Sequence, residues 1–412
     1  MYRFMAGAFL TCLATAEAFA AVDIYGYGAL RAGSVESTTS WLEGGFGRFD
    51  QGADAAGDSS GFGVAEAQVA LDWTPSDAWL IHVQAIARAE DAVSQVDEVG
   101  LIEAFVRFQA IDGHAHQLAF TLGQKFLPTS FENTLDLWQS PYTLTYSAWN
   151  SWIAHEFRPI GLEAGYTYNL ENGSRFGLRA NIFGGNDSSG AELAWGGWRF
   201  SQRLSTYGEV LPLPDLVSLR DGGGLFFDQR DDGSKPFGPD LDGDPGFAAQ
   251  ARFDSPRFRV RHTWVDNQGD KGLWRGEYAW RTVFNVTGAE WQVTNNFSVL
   301  GEVATGSTRM GLPAGAVNVD FDTFYLLASY QQGNHRVSAR FDDFELEDRD
   351  GFPTDNSEDG DGWTVAYFFE PGAFRVGIEY TDVSVSRVSA LESGFNPNHD
   401  GSQLTLEVRY VF

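Results

Sequence analysis

The last ten residues, Gln403-Leu-Thr-Leu-Glu-Val-Arg-Tyr-Val-Phe412, alternate between apolar and polar side chains. Five apolar side chains share one face of an extended strand: Leu404, Leu406, Val408, Tyr410 and Phe412. The other face carries Thr405, Glu407 and Arg409. Alternation over about ten residues suits a strand that crosses a membrane with one face to lipid and one to water. It also suits a half-buried strand of a soluble sandwich, so the rest of the chain decides between them.

The N-terminus has the layout of a secretory signal peptide. Arg3 precedes the apolar run Phe4 to Ala14, and Ala18-Phe19-Ala20 supplies the small residues of a cleavage site. We therefore predict that residues 1–20 are removed and that residues 21–412 form one exported domain. Cys12 is the only cysteine and lies in the removed part, so we expect no disulfide in the mature chain.

Segments with one apolar face recur along the whole chain. From Ala65 to Trp73 apolar residues alternate with polar ones, and the pattern resumes at Trp79 after the turn Pro75-Ser-Asp77. Further strands are predicted near residues 27, 105, 121, 165, 179, 250, 261, 286, 302, 326, 340, 367 and 379. Short turns alternate with much longer polar segments, and this loop pattern is typical of a transmembrane β-barrel. The sequence therefore predicts an all-β, antiparallel transmembrane β-barrel.

The number of strands depends on how residues 185–245 are interpreted. As one long external loop they leave sixteen strands, and with a hidden hairpin the count is eighteen. Phe200, Leu204, Tyr207 and Leu211 recur at helical spacing, which favours a short amphipathic helix over a strand. We predict sixteen strands and keep eighteen as the alternative. A barrel of that width leaves a water-filled lumen unless something fills it.

Aromatic pairs bracket four of the short turns. They are Trp73 and Trp79, Phe253 and Phe258, Trp291 and Phe297, and Phe369 and Phe374. Aromatic rings prefer the boundary between lipid and water. We therefore expect these turns at the periplasmic edge of the wall.

The formal charge of −28 disfavours nucleic acid as a partner. The acids concentrate in three stretches, Asp50 to Asp58, Asp228 to Asp244 and Asp342 to Asp361, where no apolar periodicity is visible. We interpret these stretches as solvated loops. Whether such loops bind divalent cations stays open at this stage.

No catalytic or cofactor site is predicted. The seven histidines have no metal-binding spacing on a shared helix and no nucleophile motif beside them. The stretch Asp240-Leu-Asp-Gly-Asp244 has the pattern that begins a calcium loop, but Pro245 occupies the place of the required glycine. We therefore expect neither an enzyme nor a dedicated metal site.

A resemblance to Gram-negative porins extends along the mature chain. It rests on the first strand, Val22-Asp-Ile-Tyr-Gly-Tyr-Gly28, on the hairpin rhythm and on the terminal Arg409-Tyr-Val-Phe412. Residues Leu122 to Glu132 resemble the Gly-Gln-x-Lys-x-Pro-x-Gly-x-Glu stretch of phosphate-selective porins. This chain departs from that pattern, because Lys125 comes one place early and Ser130 replaces a glycine. The resemblance implies the cell outer membrane, contacts with lipid and lipopolysaccharide, a homotrimer, and passage of small hydrophilic solutes or ions.

If the apolar strand faces meet lipid, the opposite faces line the lumen. The predicted lining is cationic: Arg88, Arg107, Lys125, Arg179, Arg252, Arg259, Arg261, Arg281 and Arg340. Acids such as Glu66 and Glu163 share these faces. Either the charges pair and only keep the wall wet, or an arginine-lined constriction prefers small, phosphate-like anions.

The segment from Phe126 to Arg158, after the fifth strand, carries many aromatic residues and little charge. Rings of this number need cover, so we predict that the segment folds into the barrel and sets its narrowest point. The candidate constriction residues are Phe131, Glu132, Asp136, Trp138, Tyr142 and Tyr146. An external cap or a subunit contact is the alternative interpretation.

Two functions of different class remain. The first is a porin for passive diffusion of small hydrophilic solutes. The second is a structural or surface-interaction barrel with a blocked lumen, whose acidic loops bind ions or lipopolysaccharide. The histidine and cysteine content supports no third, catalytic, function.

Overall fold

The computed structural model describes residues 21–412 apart from residues 54–58, 91–97, 221–223, 228, 230–232, 239, 275, 313–314 and 353. The predicted signal peptide, residues 1–20, lies outside the described residues, and its removal stays a prediction. Neither α-helix of the described chain has the length and hydropathy needed to cross a bilayer.

Nearly all of the regular secondary structure is β-strand. Its strands are β1 (Ala21–Glu36), β2 (Ser59–Ser76), β3 (Trp79–Glu90), β4 (Val99–Asp112), β5 (His116–Gln124), β6 (Ile160–Asn169), β7 (Arg175–Gly184), β8 (Gly246–Asp254), β9 (Phe258–Asp266), β10 (Leu273–Trp274), β11 (Glu277–Tyr278), β12 (Arg281–Gln292), β13 (Phe297–Leu312), β14 (Gly315–Gln332), β15 (His335–Asp348), β16 (Glu358–Phe369), β17 (Phe374–Arg387) and β18 (Asn398–Val411). Its helices are α1 (Ala148–Glu156) and α2 (Ala191–Gly196), with 3₁₀ turns at Trp41–Glu43, Asp136–Trp138, Val217–Leu219 and Val388–Ser393.

Sixteen of these strands close into one antiparallel barrel. Strands β10 and β11 form a separate small hairpin in a loop, so β9 pairs directly with β12. The wall closes where β18 pairs with β1, for example with Leu30 opposite Val408. The terminal residue completes this seam, because Phe412 and Gly26 exchange two backbone hydrogen bonds of 3.0 Å. The prediction of a sixteen-strand transmembrane-type barrel is confirmed.

The alternation that predicted the strands matches the two faces of the wall. On β18 the side chains of Leu406 and Val408 point outward and are each 51% exposed, whereas Thr405 and Glu407 point inward and are each 1% exposed. The same alternation on the neighbouring strands produces an apolar outer belt. This belt is what a surrounding bilayer requires.

The acidic stretch Asp342 to Asp361 is mostly strand and not loop, so its interpretation as a solvated loop is wrong. Strand β15 continues to Asp348, β16 begins at Glu358, and only the residues between them connect the two strands. Glu345 pairs across the ladder with Asp359. In this part of the strands the outward face is acidic, with Asp343, Glu345 and Asp359 exposed, whereas Phe344 and Leu346 face inward and are buried. The apolar-out pattern that marks the membrane belt is therefore reversed here.

We predict that the closed barrel resists detergent until it is boiled, because its backbone groups are paired within the wall and have no water to pair with in lipid. Folded and boiled samples should therefore migrate differently on a detergent gel. Gly26→Ala should lower the temperature at which the folded band disappears. A Cβ at Gly26 would lie 2.2 Å from the Gln68 carbonyl oxygen and 2.9 Å from the Phe412 ring, and such crowding costs about 1–3 kcal/mol.

The matched control is Gly28→Ala, two residues further along the same strand. No atom lies within 4 Å of a Cβ built there. Its folded band should survive to the parental temperature or slightly above. If both variants lose the folded band together, crowding at the seam is not what limits the stability of the barrel.

Candidate functional site: the lumen and its two inner segments

The chain between β5 and β6, residues 125–159, lies inside the barrel, and we call it the first inner segment. Its backbone and side chains bond to wall residues that point inward. Asn150 Nδ2 donates to Glu302 Oε2 over 3.2 Å, and the Thr145 amide donates to Glu379 Oε1 over 2.8 Å. Helix α1 belongs to this segment and is buried along its whole length.

Glu132 organises the first inner segment from its centre. This fully buried carboxylate accepts from the Ser147 hydroxyl and from Asn150 Nδ2, each over 2.8 Å. It also forms a 2.6 Å ion pair with Arg340 on β15. Glu132 therefore joins the segment to the wall by a direct charge pair, which burial makes far stronger than one in water.

Arg340 uses its guanidinium to hold the first inner segment against the wall. Besides Glu132, its guanidinium pairs with Asp342 over 2.7 Å and donates to the carbonyl oxygens of Thr145 and Tyr146 over 2.7 and 3.0 Å. The side chain has no exposed surface. Arg340 thus points inward as predicted, but it fastens the segment and does not meet open water.

The aromatic candidates of this segment are covered by wall cations and by one another. The Phe131 ring lies 4.2 Å from the Arg261 guanidinium and 5.2 Å from that of Arg259. Trp138 stacks on Phe126 with ring centroids 4.3 Å apart. The remaining ring contacts join Trp138 to Tyr146 and Tyr142 to Arg336. Asp136, in contrast, is exposed.

A second inner segment, residues 185–206, also fills the barrel. The sequence placed these residues in an external loop, and that expectation is wrong. Trp195 and Trp198 are 0% and 1% exposed, and the Trp152 ring of α1 packs edge-on against Trp198. Residues 212–244 are rich in Pro, Gly and Asp, and this loop-like composition led us to assign the tryptophans before them to the same external loop. The helix predicted over Phe200 to Leu211 is absent, and α2 lies earlier in the chain.

Charges of opposite sign hold the two ends of α2. At its start, Glu156 accepts 3.0 Å hydrogen bonds from the backbone amides of Gly190, Glu192 and Leu193. A carboxylate is the group that the unpaired amides and positive end of a helix favour. Burial, followed by the charge of Glu192, raises the pKa of Glu156 to about 7.

Two guanidiniums hold the carbonyl end of α2. Arg387 donates to the Trp195 carbonyl oxygen over 3.0 Å, and Arg48 donates to those of Gly196 and Trp198 over 3.0 Å each. One buried carboxylate, Glu358, pairs with both arginines at 3.0 Å. Both ends of the helix therefore meet a charge of complementary sign.

The structure brings five of the predicted lining cations together. They are Lys125, Arg179, Arg252, Arg259 and Arg261. Glu163 joins two of them, at 2.7 Å from Lys125 and 3.0 Å from Arg179. The Arg179 and Arg259 side chains are 29% and 37% exposed, so this strip of the wall, which we call the cationic strip, reaches water.

The other predicted lining residues lie apart from the cationic strip. Arg88 is buried and donates to the Leu204 carbonyl oxygen over 2.7 Å, so it contacts the second inner segment. Arg107 is exposed on β4. Arg281 alternates with the inward Thr282 and Phe284, so it lies on the outer face, where it pairs with Asp266 over 2.9 Å. Arg281 is therefore removed from the lumen lining.

Three arginines that matter inside the barrel were missed in the sequence. Arg31 pairs with Glu407 over 2.8 Å and with Glu66 over 3.5 Å. Arg31 on β1 and Arg387 on β17 have the strand parity of inward residues, which is the signal that could have identified them. Arg48 lies in a loop, and no sequence period marks it.

A narrow cavity separates the second inner segment from the wall at β1, β2 and β18. Its lining includes Arg31, Glu66, Gln202 and Gln403, and its volume is about 30 Å³. A space of this size holds about two water molecules. This gap by itself holds water and no larger solute.

An acidic trio lies in the loop between β7 and β8. One carboxylate oxygen from each of Asp187, Asp240 and Asp242 lies within 4.8 Å of the others. Burial, together with the two neighbouring carboxylates, raises the pKa of Asp187 to about 7. Two members of the trio accept hydrogen bonds from backbone amides: Asp187 from Leu241, and Asp242 from Asp270. These bonds order the loop.

Solved structures with the same barrel fold are known, although sequence comparison finds no relative. No family model matches the chain, and no curated protein sequence matches it. Solved structures do. The outer-membrane channel DcaP of Acinetobacter baumannii superposes with a TM-score of 0.53 at 11% identity, over 96% of this chain and 99% of that one. OmpF of Salmonella typhi, solved with daunomycin, superposes with a TM-score of 0.53 at 13% identity, over 95% and 97%.

The anion-selective porin of Comamonas acidovorans is also similar, with a TM-score of 0.50 at 10% identity over 96% of this chain and all of that one. The fold is that of an outer-membrane porin. At these identities the likeness concerns the fold alone and does not assign the chain to the phosphate-selective porins.

We predict that Arg340→Met destabilises the barrel by about 3–5 kcal/mol, because it leaves the Glu132 and Asp342 carboxylates buried without a counter-charge. Urea unfolding in detergent, followed by tryptophan fluorescence, measures the change. Arg349→Met is the control, since Arg349 pairs with Asp320 at 3.0 Å with both side chains nearly half exposed. Its effect should be about 0–1 kcal/mol. Equal effects would show that the Arg340 network does not hold the inner segment.

Proposed function

We propose that this chain is a porin of the Gram-negative outer membrane, through which small hydrophilic solutes or ions diffuse passively. The observation that carries the proposal is a closed sixteen-strand barrel with an apolar outer belt and a charged interior narrowed by inner segments. The fold shared with solved outer-membrane channels supports it. Conductance of the purified protein across a planar bilayer is the direct test.

The proposal includes the route and setting of the protein. Residues 1–20 act as a signal peptide that is removed on export, and residues 21–412 fold in the outer membrane. There the barrel contacts lipid and lipopolysaccharide and assembles as a homotrimer. No cofactor and no catalytic step enters this function.

We propose that solutes pass along the cationic strip and that the channel prefers small anions. In each arginine pair of the strip the cation is more exposed to water than the acid: Arg179 is 29% exposed against 6% for Glu163, Arg252 21% against 9% for Asp254, and Arg259 37% against 10% for Glu290. The net charge of the protein is negative, but exposed charges are screened within about 8 Å at physiological salt. Charges beside a narrow, partly desolvated path act more strongly on a passing ion.

We predict that replacing Arg259 and Arg261 by serine shifts the reversal potential in a salt gradient toward cation preference. Single-channel recording in a planar bilayer measures this shift. Arg261 also donates to the carbonyl oxygens of Pro128 and Ser130 over 2.7 and 2.8 Å, so unitary conductance should rise as well. Arg349→Ser, at an exposed ion pair away from the strip, is the control. An unchanged reversal potential in the double variant would contradict a role in selectivity.

The first inner segment is proposed to set the narrowest point of the channel. We predict that deletion of residues 129–147 enlarges unitary conductance and weakens selectivity, because it removes the rings and Glu132 from the path. Deletion of residues 187–205 as well should enlarge conductance further, since both segments lie in the lumen. Barrel integrity is checked by the heat-dependent gel shift. Variants that insert normally and conduct like the parent would show that the solute path avoids both segments.

A specific observation favours a second function, a structural or surface-interaction barrel with a blocked lumen. Two inner segments are fastened by buried charge networks, and one gap beside them holds only about two waters. In that case acidic loops at the surface would bind ions or lipopolysaccharide. A correctly inserted barrel with no conductance at any voltage would support this second function and refute the porin.

A further inference from the structure

Three polar side chains face outward in the middle of the apolar belt. His262 on β9 and Thr287 and Asn285 on β12 alternate with inward residues of their strands, and all three are exposed. They lie four to six residues above Phe258 or Trp291, the aromatic residues at the short-turn end. That spacing corresponds to about 10–15 Å of height in a belt about 25 Å tall. The three therefore sit near mid-belt.

Apart from Thr305 on β13, which lies opposite Asn285, the other described wall strands carry no polar side chain at this depth. Counted four and six residues from the same end, their outward positions are aliphatic, aromatic or glycine: for example Leu326 and Phe324 on β14, Val365 and Trp363 on β16, and Ile378 and Tyr380 on β17. A uniform lipid surround gives no reason for this difference, because hydrocarbon offers no hydrogen-bond partner. Something other than lipid should cover β9 and β12.

The three side chains form one patch whose bonding capacity is only partly used. Thr287 lies opposite His262 in the ladder, and the Thr287 hydroxyl is 2.8 Å from His262 Nδ1. Asn285 lies opposite Trp264 on one side and Thr305 on the other. Among the described residues, the Asn285 amide and the Thr305 hydroxyl have no side-chain hydrogen-bond partner. Each of these groups both donates and accepts.

An apolar groove adjoins this polar patch on the same outer wall. Its volume is about 500 Å³, and it is lined by His262 of the patch and by Trp264, which lies opposite Asn285 in the ladder. Four alanines on β6, β7 and β8 form its floor: Ala164, Ala180, Ala249 and Ala251. Ala164 pairs with Ala180, and Ala180 with Ala249, so the floor runs straight across three strands. Small residues let a second wall approach closely.

The wall is also shortest here. Strands β5 to β9 have 9 or 10 residues, whereas β13, β14, β1 and β2 have 16 to 18. Strands of this length cross the belt but extend little beyond it, so a second wall can approach this side over its whole height. Short strands, the groove and the polar patch therefore coincide on one side of the barrel.

We propose that the outer wall from β6 to β12 is a subunit interface that packs against a second copy of this chain. A partner at this depth must itself span the membrane, and in an outer membrane that means a closed barrel. Amide, hydroxyl and imidazole groups that both donate and accept can pair with the same groups of an identical copy about a symmetry axis. The inference rests on the membrane location proposed above and adds the face through which copies associate.

Thiol cross-linking in membranes tests the face directly, in the full chain with Cys12 replaced by serine. Ala249→Cys places a thiol on the groove floor, and Val365→Cys places one at the same depth on the opposite wall. A short bismaleimide should link two chains through the first variant and not through the second. Links through position 365 alone, through both positions equally or through neither would overturn the proposal.

A second variant tests the polar patch without a new thiol. Asn285→Leu combined with Thr287→Val should raise the monomer fraction of the detergent-solubilised protein several-fold, measured by light scattering, while the heat-dependent gel shift persists. Leu326→Val on β14 is the matched control and should leave the mass unchanged. A parent that is monomeric, or a double variant that keeps its full mass, refutes the interface.

Conductance separates this inference from the proposed function. A monomeric protein that conducts overturns the interface and leaves the channel. An assembly that cross-links through position 249 but never conducts supports the interface and overturns the porin. The two proposals therefore fail by different measurements.

Discussion

Every other feature of this protein depends on the closure of one hydrogen-bonded ladder. In hydrocarbon an unpaired backbone amide or carbonyl has no solvent to pair with, so a spanning sheet must have no free edge. The chain meets this constraint by pairing its last strand with its first, and the terminal Phe412 bonds directly to Gly26. Closure gives the wall an outside and an inside. Successive side chains of each strand therefore point in turn to the lipid and to the lumen.

Closure of sixteen strands also creates a problem, since the enclosed space is wider than side chains alone can fill. This chain fills much of it with two segments whose charges are compensated where they lie. Glu132 and Arg340 fasten the first segment, and Glu156, Arg48 and Arg387 hold the two ends of the short helix in the second. Buried pairs of this kind contribute little net stability but penalise any arrangement that separates them. They therefore specify the position of each segment more than they strengthen the barrel.

Parts of the interior were accessible from sequence and parts were not. Strand parity places Arg179, Arg252, Arg259 and Arg261 inside, and the density of rings in residues 126–158 indicates a segment that needs cover. The rule that apolar side chains face lipid misplaces Arg281, because Phe284 and Val286 of the same strand face inward and pack in the core. The second inner segment escaped prediction altogether, since polar loop residues after it dominate the composition of that region.

The sequence by itself determined the barrel class, the positions of most strands and the lipid-facing side of most of them, because these follow from a local period of two residues and from turn chemistry. The choice of sixteen strands over eighteen needed the structure, which shows where residues 185–245 lie. It also determined that the first inner segment carries rings in need of burial. Only the tertiary structure decided where the second segment lies and which carboxylate meets which guanidinium. It alone brought His262, Thr287 and Asn285 together on one wall. Contacts of this kind join residues far apart in the chain, such as Glu132 with Arg340, and no local pattern specifies which distant strand will stand opposite.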